Sequence, residues 1–214
     1  DLTFGSRLAK RGGNATFDLS LGGNNTLTAG TKATLDSGSL VYIGGSGDDS
    51  LIFGDFLAYS SGNATFDLSL GGNNTFVGGL SAAYEGGSVA YTGGAGDDSL
   101  TFGDWMAGYS GNATFDMSAG GNNTFVVGAR AASSAGRVEY SGGPGRDTVT
   151  FGTAAAADFG EIVIKLGSDT AADTVTFEGT VDPAGSKGVT IDNFDVNHDT
   201  ILLAQPDAAD VTLI

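Results

Sequence analysis

The stretch GGSGDDSLI, residues 44–52, decides the fold of this chain because it returns twice at a fixed distance. It reappears as GGAGDDSLT at 93–101 and as GGPGRDTVT at 142–150, 49 residues further along each time. Each copy is a glycine-rich turn, then an acidic residue, then a short run of alternating apolar and polar side chains. Glycine tolerates the positive φ angles of tight turns, and the alternation is typical of a half-buried strand. The stretch therefore predicts a repeated turn-and-strand unit.

A second repeated segment lies between these copies and completes the unit. GNATFDLSLGGNNT occupies residues 13–26 and 62–75 without change, and residues 111–124 with two substitutions. The 49-residue unit therefore has two similar halves of about 24 or 25 residues, each with strand, tight turn, strand and longer loop. Within it Phe66, Leu68 and Leu70 alternate with polar residues, so we expect them to share one buried face.

Such halves predict coils that stack, because one coil of this size cannot bury its own apolar face. We expect an all-β fold, a right-handed parallel β-solenoid with two strands per coil and two parallel sheets whose apolar faces meet. Residues 1–152 form the repetitive solenoid, and residues 153–214 form a looser β-rich segment that caps it. The run AAAAD at 154–158 predicts a short helix or a long loop. The chain opens in the middle of a repeat, which indicates either a piece of a larger protein or subunits stacked head to tail.

Composition and charge narrow the classes of function. The chain has no cysteine, which excludes disulfides and thiolate metal sites. The net charge is −16, and no Lys or Arg occurs between Lys32 and Arg130, so nucleic acid and anionic membrane surfaces are disfavoured partners. No apolar run reaches transmembrane length, so we expect no membrane insertion. Neither GxSxG nor HExxH occurs, and we expect no enzymatic activity.

The acidic turns indicate cation binding. Calcium prefers six to eight oxygen ligands, and a glycine-rich turn can direct successive carbonyl oxygens toward one point. The Asp that follows adds a carboxylate, so one turn supplies half a shell and stacked turns complete it. Two carboxylates 5 Å apart repel by roughly 3 kcal/mol at an effective dielectric of about 20. A column of such turns is therefore expected to need several Ca²⁺ ions to fold.

The three turns fit the nonapeptide GGxGxDxUx, in which U is a large apolar residue, and the chain resembles the RTX (repeats-in-toxin) β-roll family of secreted bacterial proteins. The resemblance implies calcium bound by the carbonyls of the first and third positions and by the sixth-position Asp. The implied ligands are Gly44, Ser46 and Asp49, Gly93, Ala95 and Asp98, and Gly142, Pro144 and Asp147. Asp48 and Asp97, at the fifth position, are further candidate ligands.

The chain departs from the family pattern in two ways. Its coils are longer than those of an ordinary β-roll, and only one edge carries such turns. The other edge carries loops with Phe56, Tyr59, Tyr84, Trp105, Met106 and Tyr109, which are expected to be packing caps rather than a ligand platform. Every second turn is a shortened GGNN, in which Asn25, Asn74 and Asn123 replace the Asp. These Asn residues either share the row of ions or close metal-free turns of type I′ geometry.

The segment VTIDNFDVNHDTILL, residues 189–203, resembles the end of RTX-type substrates of type I secretion. The residues that fit are Ile191, Phe194, Asp195, Asp199, Ile201 and Leu203. The resemblance implies a C-terminal export signal within 153–214 and an extracellular or cell-surface location. It also implies a chain that stays unfolded in the cytosol, where calcium is scarce, and folds outside.

Two functions suit these observations. One is a secreted calcium-binding structural protein that associates with its own copies, head to tail or laterally, in an extracellular fibre, surface layer or biofilm matrix. Its other partners would be cell-surface or matrix components. The alternative is the C-terminal RTX folding and secretion module of a larger adhesin, hydrolase or toxin.

Overall fold

Two long parallel sheets are built from alternate strands of the chain. A computed structural model describes residues 1–181, 187–204 and 211–214, and within these ranges the fold is all-β, without a helix. The first sheet contains, in chain order, β1 (Leu2–Phe4), β4 (Thr26–Ala29), β7 (Ser50–Phe53), β9 (Thr75–Gly78), β11 (Ser99–Phe102), β13 (Thr124–Val127), β15 (Thr148–Phe151), β17 (Thr174–Phe177) and β19 (Thr200–Leu203).

The second sheet contains β3 (Asn14–Asp18), β6 (Ser39–Ile43), β8 (Asn63–Asp67), β10 (Ser88–Thr92), β12 (Asn112–Asp116), β14 (Arg137–Ser141), β16 (Glu161–Lys165), β18 (Gly188–Asp192) and β20 (Val211–Leu213). Neighbouring strands in each sheet are parallel and come from successive coils. Equivalent residues lie side by side, as Leu100 does between Phe76 and Phe125. The predicted β-solenoid with two strands per coil is therefore confirmed.

The core lies between the two sheets and consists of stacked apolar side chains. Inward residues such as Phe66 and Phe76 are almost fully buried, and their ring centroids lie 4.8 Å apart. Phe115 and Phe125 repeat the contact two coils later at 4.6 Å. The prediction for Leu70 is wrong, because this side chain is 57% exposed. The strand ends at Asp67, so Leu70 falls in the following turn, where the alternation no longer applies.

Both sheets continue beyond residue 152. Strand β15 pairs with β17 and β14 pairs with β16, although Thr148 and its partner Thr174 are now 26 residues apart. Residues 154–158 form turns rather than a helix, and Ala155 and Ala156 are buried there. Parts of the predicted C-terminal segment, residues 182–186 and 205–210, lie outside the described ranges.

The loop edge of the solenoid is held from coil to coil by its own hydrogen bonds. A short parallel pair, β2 (Ala9–Lys10) and β5 (Thr34–Leu35), begins it. In a later loop Trp105, Ala107 and Tyr109 have φ angles of 65°, 54° and 51°, in the left-handed region that non-glycine residues rarely adopt. Their neighbours offset this strain, since the N–H of Trp105 donates to the carbonyl of Ala129 at 2.8 Å.

Aromatic rings pack along this edge. The centroids of Tyr59 and Tyr84 lie 6.1 Å apart, and those of Tyr84 and Tyr109 lie 5.1 Å apart. Lys32 lies 4.7 Å from the centroid of Tyr59. Met106, by contrast, is completely buried. The ring-to-ring contacts are those expected of packing caps. No helix in the described part of the chain is long and apolar enough to cross a membrane.

Replacing an inward aromatic residue should cost far more than replacing its outward neighbour. Phe76→Ala should lower the free energy of unfolding by about 3–5 kcal/mol, because it opens a cavity among four rings. The matched control Thr75→Ala, on the exposed side of the same strand, should cost about 1 kcal/mol or less. Urea denaturation followed by circular dichroism measures both, and equal losses would contradict the assignment of the core.

Candidate functional site

The Asp residue of each acidic turn is buried inside the solenoid. Asp49, Asp98 and Asp147 are 2%, 1% and 0% exposed, because each immediately precedes a first-sheet strand and has the inward orientation of its apolar residues. The Asn of each GGNN turn takes the same place in the intervening coil. We call this row of side chains the inner column: Asn25, Asp49, Asn74, Asp98, Asn123, Asp147, Asp173 and Asp199.

Hydrogen bonds link each member of the inner column to the next coil. The backbone N–H of Asp49 donates to Oδ1 of Asn74 at 3.0 Å, and the N–H of Asn74 donates to Oδ1 of Asp98 at 2.8 Å. The side-chain Nδ2 of Asn74 also donates to Oδ1 of Asp98, at 3.0 Å. The alternating Asn residues thus satisfy the carboxylates and keep them two coils, about 10 Å, apart.

Tyrosine hydroxyls satisfy the second carboxylate oxygen. Tyr42 donates to Oδ2 of Asp49 at 3.1 Å, and Tyr91 donates to Oδ2 of Asp98 at 3.3 Å. Burial raises the pKa of Tyr91 above its usual value, so the hydroxyl keeps its proton. In the third copy, Tyr140 and Oδ2 of Asp147 are buried without a hydrogen-bond partner among the described residues. The sequence interpretation missed this role, although a Tyr stands seven residues before the Asp in all three copies.

A second row of polar side chains lies outside the first. This outer column consists of Asn24, Asp48, Asn73, Asp97 and Asn122 and ends at the backbone of Arg146. Its hydrogen bonds run in the opposite direction: the N–H of Asn73 donates to Oδ1 of Asp48 in the preceding coil at 2.7 Å. Each turn is therefore bonded to the coil on either side. Asp48 and Asp97 thus lie in this column, apart from Asp49 and Asp98.

The first glycine of each acidic turn makes room for the carboxylate. A Cβ atom on Gly44 would lie 2.4 Å from Oδ2 of Asp49, and one on Gly93 would lie 2.3 Å from Oδ2 of Asp98. Any other residue at these positions would collide with the Asp. Among the described residues, no backbone hydrogen bond is accepted by the carbonyl oxygens of the first and third turn positions. These are the carbonyls of Gly44 and Ser46, of Gly93 and Ala95, and of Gly142 and Pro144.

The donor set of these turns fits a hard cation. Each turn contains one carboxylate and two carbonyl oxygens that accept no backbone hydrogen bond, and calcium prefers such oxygen ligands. The described residues include no group of three or more Asp, Glu or His side chains arranged around a common point. A cation would therefore take most of its ligands from the backbone, with one carboxylate from each acidic turn.

The alternation of Asp and Asn ends in the last coils. The N–H of Asp147 donates to Oδ1 of Asp173 at 2.8 Å, and that of Asp173 donates to Oδ1 of Asp199 at 3.1 Å. Burial, together with the neighbouring carboxylates, raises the pKa of Asp173 to about 6. Burial likewise raises the pKa of Asp98 to about 6. The ionised form of the inner column is therefore costly where no cation neutralises it.

Compared with known proteins, the chain matches no protein-family model, no curated protein sequence and no solved structure.

Removing one inner-column amide should destabilise the fold more than removing its outer-column neighbour. Asn74→Ala should lower the free energy of unfolding by about 2–4 kcal/mol, because it leaves the buried Asp49 N–H without an acceptor and removes a donor from Asp98. Asn73→Ala, on the exposed outer column, should cost less than about 1 kcal/mol. Equal losses in denaturant titrations would show that the inner column does not hold the coils together.

The raised pKa values predict how the metal-free protein responds to pH. Between about 3.9, the usual value for Asp, and about 6, the folded state binds more protons than the unfolded state. Stability is therefore lowest above pH 6 and rises as the pH falls through this window. We therefore expect metal-free protein to show more β circular-dichroism signal at pH 5 than at pH 7.5.

Asp98→Asn should reduce this pH effect, because the variant lacks one buried titrating group. Asp116→Asn, on the outward face of the second sheet, should leave it unchanged. Circular dichroism of metal-free protein at the two pH values makes the comparison, and a β signal that is larger at pH 7.5 than at pH 5 would contradict the prediction.

Proposed function

We propose that this chain is a secreted calcium-binding structural protein in which Ca²⁺ joins neighbouring coils. The observation that carries the proposal is that each acidic turn combines a buried carboxylate of the inner column with two carbonyl oxygens that accept no backbone hydrogen bond. The residues that would hold the ions are Asp49, Asp98 and Asp147 with the carbonyls of Gly44, Ser46, Gly93, Ala95, Gly142 and Pro144. Asn25, Asn74 and Asn123 would serve chiefly as hydrogen-bond donors between the carboxylates.

A cation is needed because the chain itself supplies no positive charge to this column. The ion pairs among the described residues involve Arg137, Lys165, Lys187 and His198 and leave the inner column out. Between Lys32 and Arg130 there is no basic side chain at all. Ca²⁺ binding to the folded state alone would therefore stabilise it by mass action, so calcium concentration would control folding.

The position of the secretion-like segment is consistent with folding after export. Ile191 is fully buried in the second sheet, and Asp199 accepts the N–H of Asp173 in the inner column. In the folded chain these residues would therefore be inaccessible to the type I secretion machinery, which is proposed to recognise them. We propose export in the unfolded state, folding in extracellular calcium, and assembly of the solenoids in a fibre, surface layer or biofilm matrix.

The overlap of that segment with the inner column also favours a second candidate function. In this alternative the chain is the calcium-dependent folding and secretion module of a larger adhesin, hydrolase or toxin. Calcium has the same role in the two candidate functions. They differ in whether the solenoid itself assembles into a structure or serves only to fold and export a larger protein. Electron microscopy of purified protein with calcium distinguishes them, because ordered assemblies of this chain support the structural role and isolated particles support the module.

Calcium should fold the protein, and one inner-column carboxylate should set the concentration required. The chain should lose most of its β circular-dichroism signal in excess EGTA and regain it when calcium is added. Asp98→Ala should raise the calcium concentration at the folding midpoint roughly tenfold, equivalent to about 1.4 kcal/mol of binding free energy. Asp67→Ala, which removes an outward carboxylate of β8, should barely move the midpoint. A β signal unchanged by chelator would contradict the proposal.

A further inference from the structure

The outward face of the first sheet differs from the rest of the surface because none of its nine strands contains a charged residue. The inward residues of the strands from β4 to β17 are buried, and the alternate residues of all nine strands form two outward columns. One contains Thr26, Ser50, Thr75, Ser99, Thr124, Thr148, Thr174 and Thr200. The other contains Thr3, Thr28, Ile52, Val77, Thr101, Val126, Thr150, Thr176 and Leu202. We call these two columns the threonine face.

The second sheet shows that an uncharged face is not a consequence of the solenoid itself. Its outward residues include Asp18, Asp67, Asp116, Arg137, Glu139, Glu161, Lys165 and Asp192. Several of them form ion pairs across strands, such as Arg137 with Glu161 at 3.1 Å. The chain has a net charge of −16, yet its charged side chains lie on the opposite face and the two edges and not on the threonine face. On the threonine face Ile52 and Val77 are instead 40% and 38% exposed.

From this distribution we infer that two copies of the chain pair face to face through their threonine faces. This inference rests on the proposed self-assembly and names its surface. Two copies of a strongly acidic protein repel when their carboxylates approach, and the threonine face allows contact without bringing acidic side chains together. The same patch on both copies forms a closed two-fold contact. Threonine and valine side chains on facing sheets can interdigitate at the sheet spacing of about 10 Å.

The size of the threonine face determines how strong the pairing can be. Nine strands spaced about 4.8 Å apart, eight of them with four residues and β1 with three, at about 3.3 Å per residue, cover roughly 500 Å² per copy. The two copies together would bury about 1,000 Å², which is near the lower limit for a specific interface. The pairing is therefore a reversible dimerisation in solution, strengthened where copies are concentrated in an assembly.

Sedimentation velocity over a concentration series, in excess calcium, tests the inference with a matched pair of variants. Thr101→Glu places a carboxylate at the centre of the threonine face, and Thr65→Glu places one on the exposed face of the second sheet. Wild type and Thr65→Glu should shift from monomer to dimer as concentration rises. The dimer dissociation constant of Thr101→Glu should increase at least about tenfold, because pairing would bury an uncompensated charge.

Circular dichroism of the same samples separates this inference from the proposed function. Protein that folds with calcium but stays monomeric at every concentration overturns the pairing and leaves the calcium proposal intact. Protein that is folded and dimeric in chelator overturns the calcium proposal and supports the pairing. Dimerisation of Thr101→Glu equal to that of wild type overturns the pairing through this face. A monomer that binds insoluble cellulose or chitin through the threonine face would also overturn the pairing, because the ligand of this face would then be a polysaccharide.

Discussion

The hydrogen bond from each turn N–H to the Asp or Asn side chain of the next coil is the interaction on which the solenoid depends. It fixes the height of each coil and the register of the first-sheet strands, because the side chain that accepts it immediately precedes a strand. It also requires buried carboxylates, which are costly unless hydrogen-bonded. Asn74, Tyr91 and the glycine at position 93 all serve Asp98: two donate to it and the third leaves room for it.

The two polar columns bond the turns in opposite directions. The inner column donates forward along the solenoid and the outer column donates backward, so each turn is bonded to the coil on either side. This arrangement gives the N–H groups of the two columns their acceptors but leaves the charge of the buried Asp residues uncompensated, with pKa values raised to about 6 for Asp98 and Asp173. Calcium at the turn carbonyls would neutralise that charge, which is why we connect the fold with the ion.

Much of the fold could be predicted from the sequence, because the 49-residue period and the strand alternation leave few other arrangements. Aligning each turn on the strand that follows it also predicted that Asn74 occupies the position of the Asp residues in the acidic turns. The inward Asp49 was not separated from the outward Asp48 in the sequence analysis. The separation could have been predicted, because Asp49 lies two residues before the buried Leu51 and therefore faces the same way. The place of Asp173 and Asp199 in the inner column was missed because the coil length drifts to 26 residues after residue 147, so their alignment needed the actual register. The ion set stays a prediction.

Anomalous diffraction data from crystals grown in calcium test directly whether Ca²⁺ joins the coils at the acidic turns. We expect anomalous peaks beside the acidic turns 44–49, 93–98 and 142–147, in contact with the carboxylates of Asp49, Asp98 and Asp147. A map without peaks at this edge, with the Asp and Asn hydrogen bonds of the inner column unchanged, would contradict the proposal.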